Sequence, residues 1–224
     1  MELHLDLETL PTCRPDVVAH LANNVKPPAT YKKAESIAAW HKDEGPAATE
    51  EAVRKTSLDG TFGRICVIGW AIDDGEAKYL ANDQDEGALL KEFHAVLQRE
   101  LRRADDYVVR IVGHNVASFD LRFFMQRSMV HGIQPHVAMA RASRAKPWEN
   151  QVVFDTMIQW AGVGGRVKLD TLCKALGIDS PKGELDGSKV WDWVQAGRIK
   201  EVGEYCIKDV EATRAVFKRM VYQT

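Results

Sequence analysis

The sequence predicts an α/β fold: a mixed β-sheet flanked by α-helices, with an inserted helical segment after the first strand. Three observations carry that prediction. RICVIGWAI (64–72) is rich in Val and Ile and reads as a core strand, while Asp73, Asp74 and Gly75 form a turn that returns EAKYLA (76–81) as its hairpin partner. Residues 85–101 place Leu89, Leu90, Phe93, Val96, Leu97 and Leu101 on one face of an amphipathic helix. Along the chain, strands come first, then strands mixed with helices, then helices alone, the order of a sheet with helices packed on it.

The first element is a strand over residues 3–8, with Leu5 and Leu7 on one face. Residues 11–63 change character. They carry Pro11, Pro15, Pro27, Pro28 and Pro46, many charges and two weak helical patterns, and form the insert. Its cationic and aromatic residues, Lys26, Tyr31, Lys32, Lys33, Trp40, Lys42, Arg54 and Lys55, suit a cap on a polyanion, a surface for a partner, or the ordinary charged faces of a helical lobe, the commoner reading. A further strand lies within DYVVRIVGHN (106–115). The helix 118–132 has Ser118 as a candidate N-cap and Gly132 as its end, and residues 133–150 read as an irregular loop. Helices follow over 168–176, 188–196 and 199–222, and one domain spans 1–224.

The bulk numbers limit what this fold can do. A chain of 224 residues with a 45% hydrophobic fraction can bury a sizeable core. Its formal net charge of −2 excludes a global basic field, so any attraction for phosphate must be local or supplied by bound cations. Cys13, Cys66, Cys173 and Cys206 form no CxxC pair and have no histidine at zinc-site spacing, which reads as reduced thiols in a cytoplasmic protein. The N-terminus has neither the basic nor the apolar region of a signal peptide, and no run of apolar residues is long enough to span a membrane.

Within this frame three polar clusters stand out. Asp6 and Glu8 sit at i and i+2 of the first strand, so both carboxylates leave the same face. A solvent-exposed strand face would tolerate that, but the leucines opposite point to a central strand. Like charges so close raise each other's pKa unless a cation lies between them. In GHNVASFDLRFF (113–124), His114 and Asn115 fall at a strand tip and Asp120 in the first turn of the next helix. Taken singly, Asp120 is a favourable charge at a helix N-terminus and Asn115 a turn residue. Together they gather at one end of a sheet, where open sheets place their sites. In EYCIKDVEATRAVF (204–217), Val202, Cys206, Val210, Thr213, Phe217 and Met220 form the core stripe of the last helix, and Tyr205 and Asp209 share a neighbouring face. A salt bridge would account for Asp209 alone.

DLE, HNxxxFD and YxxxD, in this order, resemble the DEDD superfamily of 3′–5′ exonucleases, whose core is RNase H-like. Tyr205, with Glu204 where the other branch needs histidine, resembles the tyrosine type. KLDTLCKALGI (168–178), GELDGSKVWDWV (183–194) and AGRIKEVGEYCIKD (196–209) are similar to a narrower group, stand-alone exonucleases related to the proofreading domain of family-B DNA polymerases. The resemblance implies hydrolysis of the 3′-terminal phosphodiester with release of 5′-mononucleotides, using two divalent ions, Mg²⁺ or Mn²⁺. It implies that Asp6 bridges both ions, that Glu8 and Asp209 complete one site, that Asp120 serves the other, and that Tyr205 orients the attacking water.

It also suggests that Thr9 and Leu10 touch the terminal nucleotide of a single-stranded DNA 3′ end. Asn115 and Phe119 are similar candidates, although plain core packing explains Phe119 as well. The loop ARASRAKPWENQ (140–151) interleaves Arg141, Arg144 and Lys146 with Trp148, a combination suited to single strands. RNA remains an alternative to DNA, and a silent end-binding module or a purely structural domain remain alternatives to an enzyme.

Overall fold

The computed structural model describes residues 1–101, 109–180 and 187–223. The chain divides into two compact units, one formed by Met1–Glu8 with Ile65–Thr224, the other by Thr9–Arg64.

The larger unit is built on a five-stranded sheet in the order β3-β2-β1-β4-β5. The strands are β1 (Glu2–Leu10), β2 (Arg64–Ile72), β3 (Lys78–Ala81), β4 (Arg110–Gly113) and β5 (Val153–Asp155). β1 runs parallel to β4 (Leu3 opposite Ile111), and β4 parallel to β5 (Val112 opposite Phe154). The hairpin predicted from the Asp73–Gly75 turn is present: β2 and β3 are antiparallel, with Ile68 opposite Leu80. Asp73 N–H donates to Glu2 C=O at one end of β1 and the Cys66 thiol to Glu8 C=O at the other, so β2 runs against β1. This mixed sheet with helices on both faces is the predicted α/β architecture.

The period of two in β1 sorts its side chains to two different layers. Leu3, Leu5 and Leu7 point into the main core with Trp70, Phe93 and Phe124, beneath α4 (Glu86–Glu100) and α5 (Asp120–Val130). His4, Asp6 and Glu8 face the other way, toward α10 (Ile199–Met220), where the His4 ring meets Phe217 edge-on at 5.7 Å. Phe217 also packs with Val112 and Phe154, and Val210 with Ala71. A buried ion pair ties α4 to α5: Arg127 donates to Glu86 at 2.7 Å, and Glu86 also accepts from Ile65 N–H.

Several elements differ from the sequence reading. β5 was not foreseen, nor was α7 (Thr156–Ala161). The supposed irregular loop 133–150 contains α6 (Val137–Ala142), whose apolar face Ala138, Met139 and Ala142 is buried. Phe119, not Ser118, occupies the N-cap position of α5. α8 (Leu169–Leu176) and α9 (Val190–Gln195) match the expected helices closely. The first part of the strand predicted in 106–115 and residues 183–186 of the GELDGSKVWDWV stretch lie outside the described residues.

The smaller unit holds three helices rather than two: α1 (Pro15–Asn24), α2 (Ala34–Asp43) and α3 (Gly45–Lys55). α3 packs against both α1 and α2, and Trp40 is buried.

Gly69 sets how closely α10 can lie on the sheet. A Cβ there would stand 2.6 Å from Cys206 Sγ and 3.3 Å from a Val210 methyl. Gly69→Ala therefore forces α10 outward. The expected cost is about 1–3 kcal/mol of stability. A larger loss of turnover should accompany it, because α10 carries Tyr205 and Asp209. Urea melts and initial rates on the same preparation check both.

Candidate active site

β1 presents Asp6 and Glu8 on its α10 face as the alternation of strand side chains requires. Glu8 is buried and Asp6 half-buried. The helical spacing of α10 brings Tyr205 and Asp209 to the same side, close enough for the Tyr205 hydroxyl to act on the Asp209 carboxyl. Asp120 opens α5 and is almost fully buried, and its Oδ1 accepts the N–H of Leu7 at 2.9 Å. That one bond fixes the start of α5 to the middle residue of Asp6-Leu7-Glu8. The structure thus brings Asp6, Glu8, Asp120, Tyr205 and Asp209 together from β1, α5 and α10.

The electrostatics of this cluster are unfavourable as it stands. Burial, then the charges of Glu8, Asp120 and Asp209, drive the Asp6 carboxyl well above the ordinary carboxylate range. Burial, Asp209 and Asp120 do the same to Glu8. Burial lifts Asp120 to about 8 in spite of the backbone N–H groups it accepts, and lifts Asp209 to about 6 in spite of Tyr205. Burial and the neighbouring carboxylates also raise the Tyr205 phenol, so its hydroxyl stays protonated and acts as a donor. Among the described residues, no lysine or arginine contributes to any of these four carboxyls. Buried acids without a cationic partner are costly, and hard divalent cations are what such oxygen donors accept. One oxygen each of Asp6 and Glu8 and the Cys206 sulfur lie within 4.8 Å of one another. The thiol is not a competing soft ligand here: burial and Asp6 raise its pKa, and it donates to Asp6 Oδ2 at 3.2 Å.

Asn115 adopts the left-handed conformation (φ 62°) just beyond β4. Phe119 is half-buried and leans on Phe123, with ring centroids 5.6 Å apart. Arg144, Lys146 and Trp148 are exposed, and the Lys146 ammonium lies 5.5 Å from the Trp148 ring centre. Thr9 and Leu10 belong to the smaller unit, where the Thr9 hydroxyl donates to Ser57 C=O at 2.7 Å; Leu10 is fully buried. Arg141, in the same basic stretch as Arg144, is instead structural: its guanidinium donates to Val109 C=O at 2.6 Å.

Two residues with evident roles escaped the sequence reading. From the sequence Cys206 reads only as part of the core stripe of α10. Asp155 was not singled out, yet it is 2% exposed and caps α7. It accepts the N–H groups of Asn115 and Ala117 at 3.0 Å each, so it holds the turn leading to Asp120. The signal was present in VVFDT, an apolar run closed by an N-cap residue. His114, at the β4 tip, is absorbed in the scaffold. Its Nε2 donates to Val167 C=O and its Nδ1 accepts from Thr156, both at 2.9 Å.

Comparison with known proteins bears on the fold and on the family. A protein of Methanocaldococcus jannaschii carrying the name "uncharacterized" is 24% identical over 178 residues, covering 75% of this chain and 92% of that one. A family B DNA polymerase from Pyrobaculum calidifontis superimposes with a TM-score of 0.56 at 15% identity, covering 99% of this chain. The chain spans only 24% of that polymerase, so the likeness is to a part of it and concerns the fold. No helix among the described residues is long and apolar enough to cross a membrane. Residues 58–224 match the family described as predicted 3′–5′ exonucleases related to the exonuclease domain of PolB, and the chain belongs to that family.

Proposed function

We propose that this protein is a tyrosine-type DEDD exonuclease that hydrolyses the 3′-terminal phosphodiester of single-stranded DNA and releases 5′-mononucleotides. The observation that carries the reading is the convergence of Asp6, Glu8, Asp120 and Asp209, four carboxyls raised by burial with no cationic side chain acting on them. The relationship to the PolB exonuclease domain, and the likeness to part of a DNA polymerase, support DNA over RNA as substrate.

Asp6, Glu8, Asp120 and Asp209 would hold two divalent ions, Mg²⁺ or Mn²⁺, for which their buried oxygens are suitable donors. Bound there, the ions supply the positive charge that the attacking water and the leaving 3′-oxygen both require. The protein's own part is positioning. Asp120 is held by Leu7 N–H and Asp6 by the Cys206 thiol, so these two carboxylates are set before substrate arrives. Tyr205, protonated and adjacent to Asp209, orients the water by a hydrogen bond and does not take its proton. Substrate charge is met locally, which reconciles a polyanionic substrate with a net charge of −2.

The test uses matched 5′-labelled DNA and RNA oligonucleotides with Mg²⁺, Mn²⁺ or EDTA. A ladder shortening from the 3′ end of DNA, abolished by EDTA, is the expected result. A ladder on RNA alone would reassign the sugar. No ladder on either, with binding retained, would leave an end-binding module. Tyr205→Phe removes one positioning hydrogen bond, so kcat should fall about 10–100-fold with KM little changed. An unaltered kcat would remove Tyr205 from the reaction.

A further inference from the structure

A cavity of about 310 Å³ opens behind the turn that leads to Asp120, and none of the four acids lines it. Its walls are made by Val153, Met157 and Ile158 of β5 and α7, and by loop residues 145–147. Two cations stand at it, Lys146 and Arg166. Both are exposed, and among the described residues neither carries an ion pair. Beside the cavity, Trp148 is 71% exposed and has the Lys146 ammonium over its ring, 5.5 Å from the centre.

The turn Gly162–Gly165 closes the remaining side. Gly164 needs its left-handed φ of 82°, and a Cβ on Gly165 would lie 2.2 Å from Ala161 C=O. A side chain is therefore excluded at Gly165 and strained at Gly164, and bare backbone lines the cavity there. The one acid in the wall, Asp155, offers little repulsion to an incoming anion. Its oxygens are committed to four N–H groups, those of Asn115, Ala117 and Met157 at 3.0 Å each and Ile158 at 3.3 Å.

Apolar walls, two free cations and an exposed indole are the chemistry that accepts a nucleotide: ring and sugar against the walls, phosphate against Lys146 and Arg166. The volume sits at the lower end of ligand pockets and suits one such unit. Asn115 connects this cavity to the candidate active site. It lines the cavity, and its N–H is held by Asp155 at the start of the turn to Asp120. We propose that the cavity bounded by β5, residues 145–147 and the Gly162–Gly165 turn is a subsite for one internal nucleotide of the single strand whose 3′ end lies at the four acids. This rests on the exonuclease reading above.

The experiment compares KM for a deoxythymidine dinucleotide and for an eight-residue oligodeoxythymidylate, in the wild type, in Arg166→Glu and in Ile158→Trp, which fills the cavity. The wild type should favour the longer strand, and each variant should shrink that advantage about tenfold, the worth of one stacked or phosphate-paired unit. A chain-length advantage equal to that of the wild type in both variants overturns the subsite. If free deoxythymidine 5′-monophosphate inhibits the wild type, and the variants relieve that inhibition while keeping the length advantage, the occupant is the released nucleotide and the strand assignment is wrong. If the wild type cuts neither substrate, the catalytic reading fails instead. Fluorescence anisotropy of the labelled oligomer in EDTA then still decides the subsite, by whether Arg166→Glu weakens binding.

Discussion

Asp6→Ala should abolish nucleotide release and, in the metal-free protein, raise the melting temperature. Both effects follow from one arrangement. Asp6 is crowded by Glu8, Asp120 and Asp209 in a site with no cationic side chain acting on it, so its removal relieves repulsion and desolvation in the apo fold. The Cys206 thiol keeps a second acceptor, the Asp6 backbone carbonyl at 3.6 Å. The same removal takes away one of the carboxylates proposed to hold the metal. A contribution of several kcal/mol to the transition state corresponds to a fall of at least about 10³-fold in kcat/KM. Activity and thermal melts of wild type, Asp6→Ala and Asp209→Ala in EDTA are the measurement. A structural acid would show the opposite pattern, lower stability with proportionate loss of activity. Full activity in either variant would dismantle the four-acid site.

The second large effect concerns pH and metal together. In the folded chain Asp120 titrates at about 8 and Asp209 at about 6, against an ordinary 3.8. Between pH 4 and 8 the metal-free fold therefore holds protons that the unfolded chain has released. The stability they allow is complete below 3.8 and is lost as pH rises through 6 and 8. His4 works in the other direction. Burial lowers it from 6.5 to about 4, so its contribution is present above 6.5 and is lost as pH falls through 4. The clean interval is from 6.5 upward, where only the acids still change. Melting temperature in EDTA should fall from pH 6.5 to 8.5, by about 2–4 °C for each ~1 kcal/mol lost in a chain of this size. Mg²⁺ should restore most at the high end, since ligands must be deprotonated to bind. Asp120→Asn should flatten the slope. A rising profile in EDTA would contradict the burial of these acids.

How much of this was legible in the sequence depended on periodicity. Asp6 and Glu8 were bound to share a face because strand side chains alternate, and the apolar stripe Val202, Cys206, Val210 and Phe217 announced which side of α10 would lie on the sheet. Tyr205 and Asp209 followed as its neighbours. What stayed hidden was short or local. β5 has three residues, too few for strand alternation to register, and only the apolar run VVFDT with its closing N-cap residue marked Asp155 and the floor of the cavity. α6 has six residues and sits in a stretch whose charges read as loop. The Ser118 cap failed because the chain turns once more before α5, with Phe119 N–H bonded to Asn115 C=O. Cys206 was legible as packing but not as a donor to Asp6, because only the fold brings residues 200 positions apart into contact.

That separation has a consequence in time. The Cys206–Asp6 contact joins residues 200 positions apart, so the cluster cannot assemble until synthesis has passed α10. A nascent or truncated chain carries Asp6, Glu8 and Asp120 without Asp209 or Tyr205. Contacts of such long range form late, because their closure entropy must be met before they stabilise anything. The four-acid cluster is thus complete only once α10 has docked on the sheet, later than the contacts of β1 with α5.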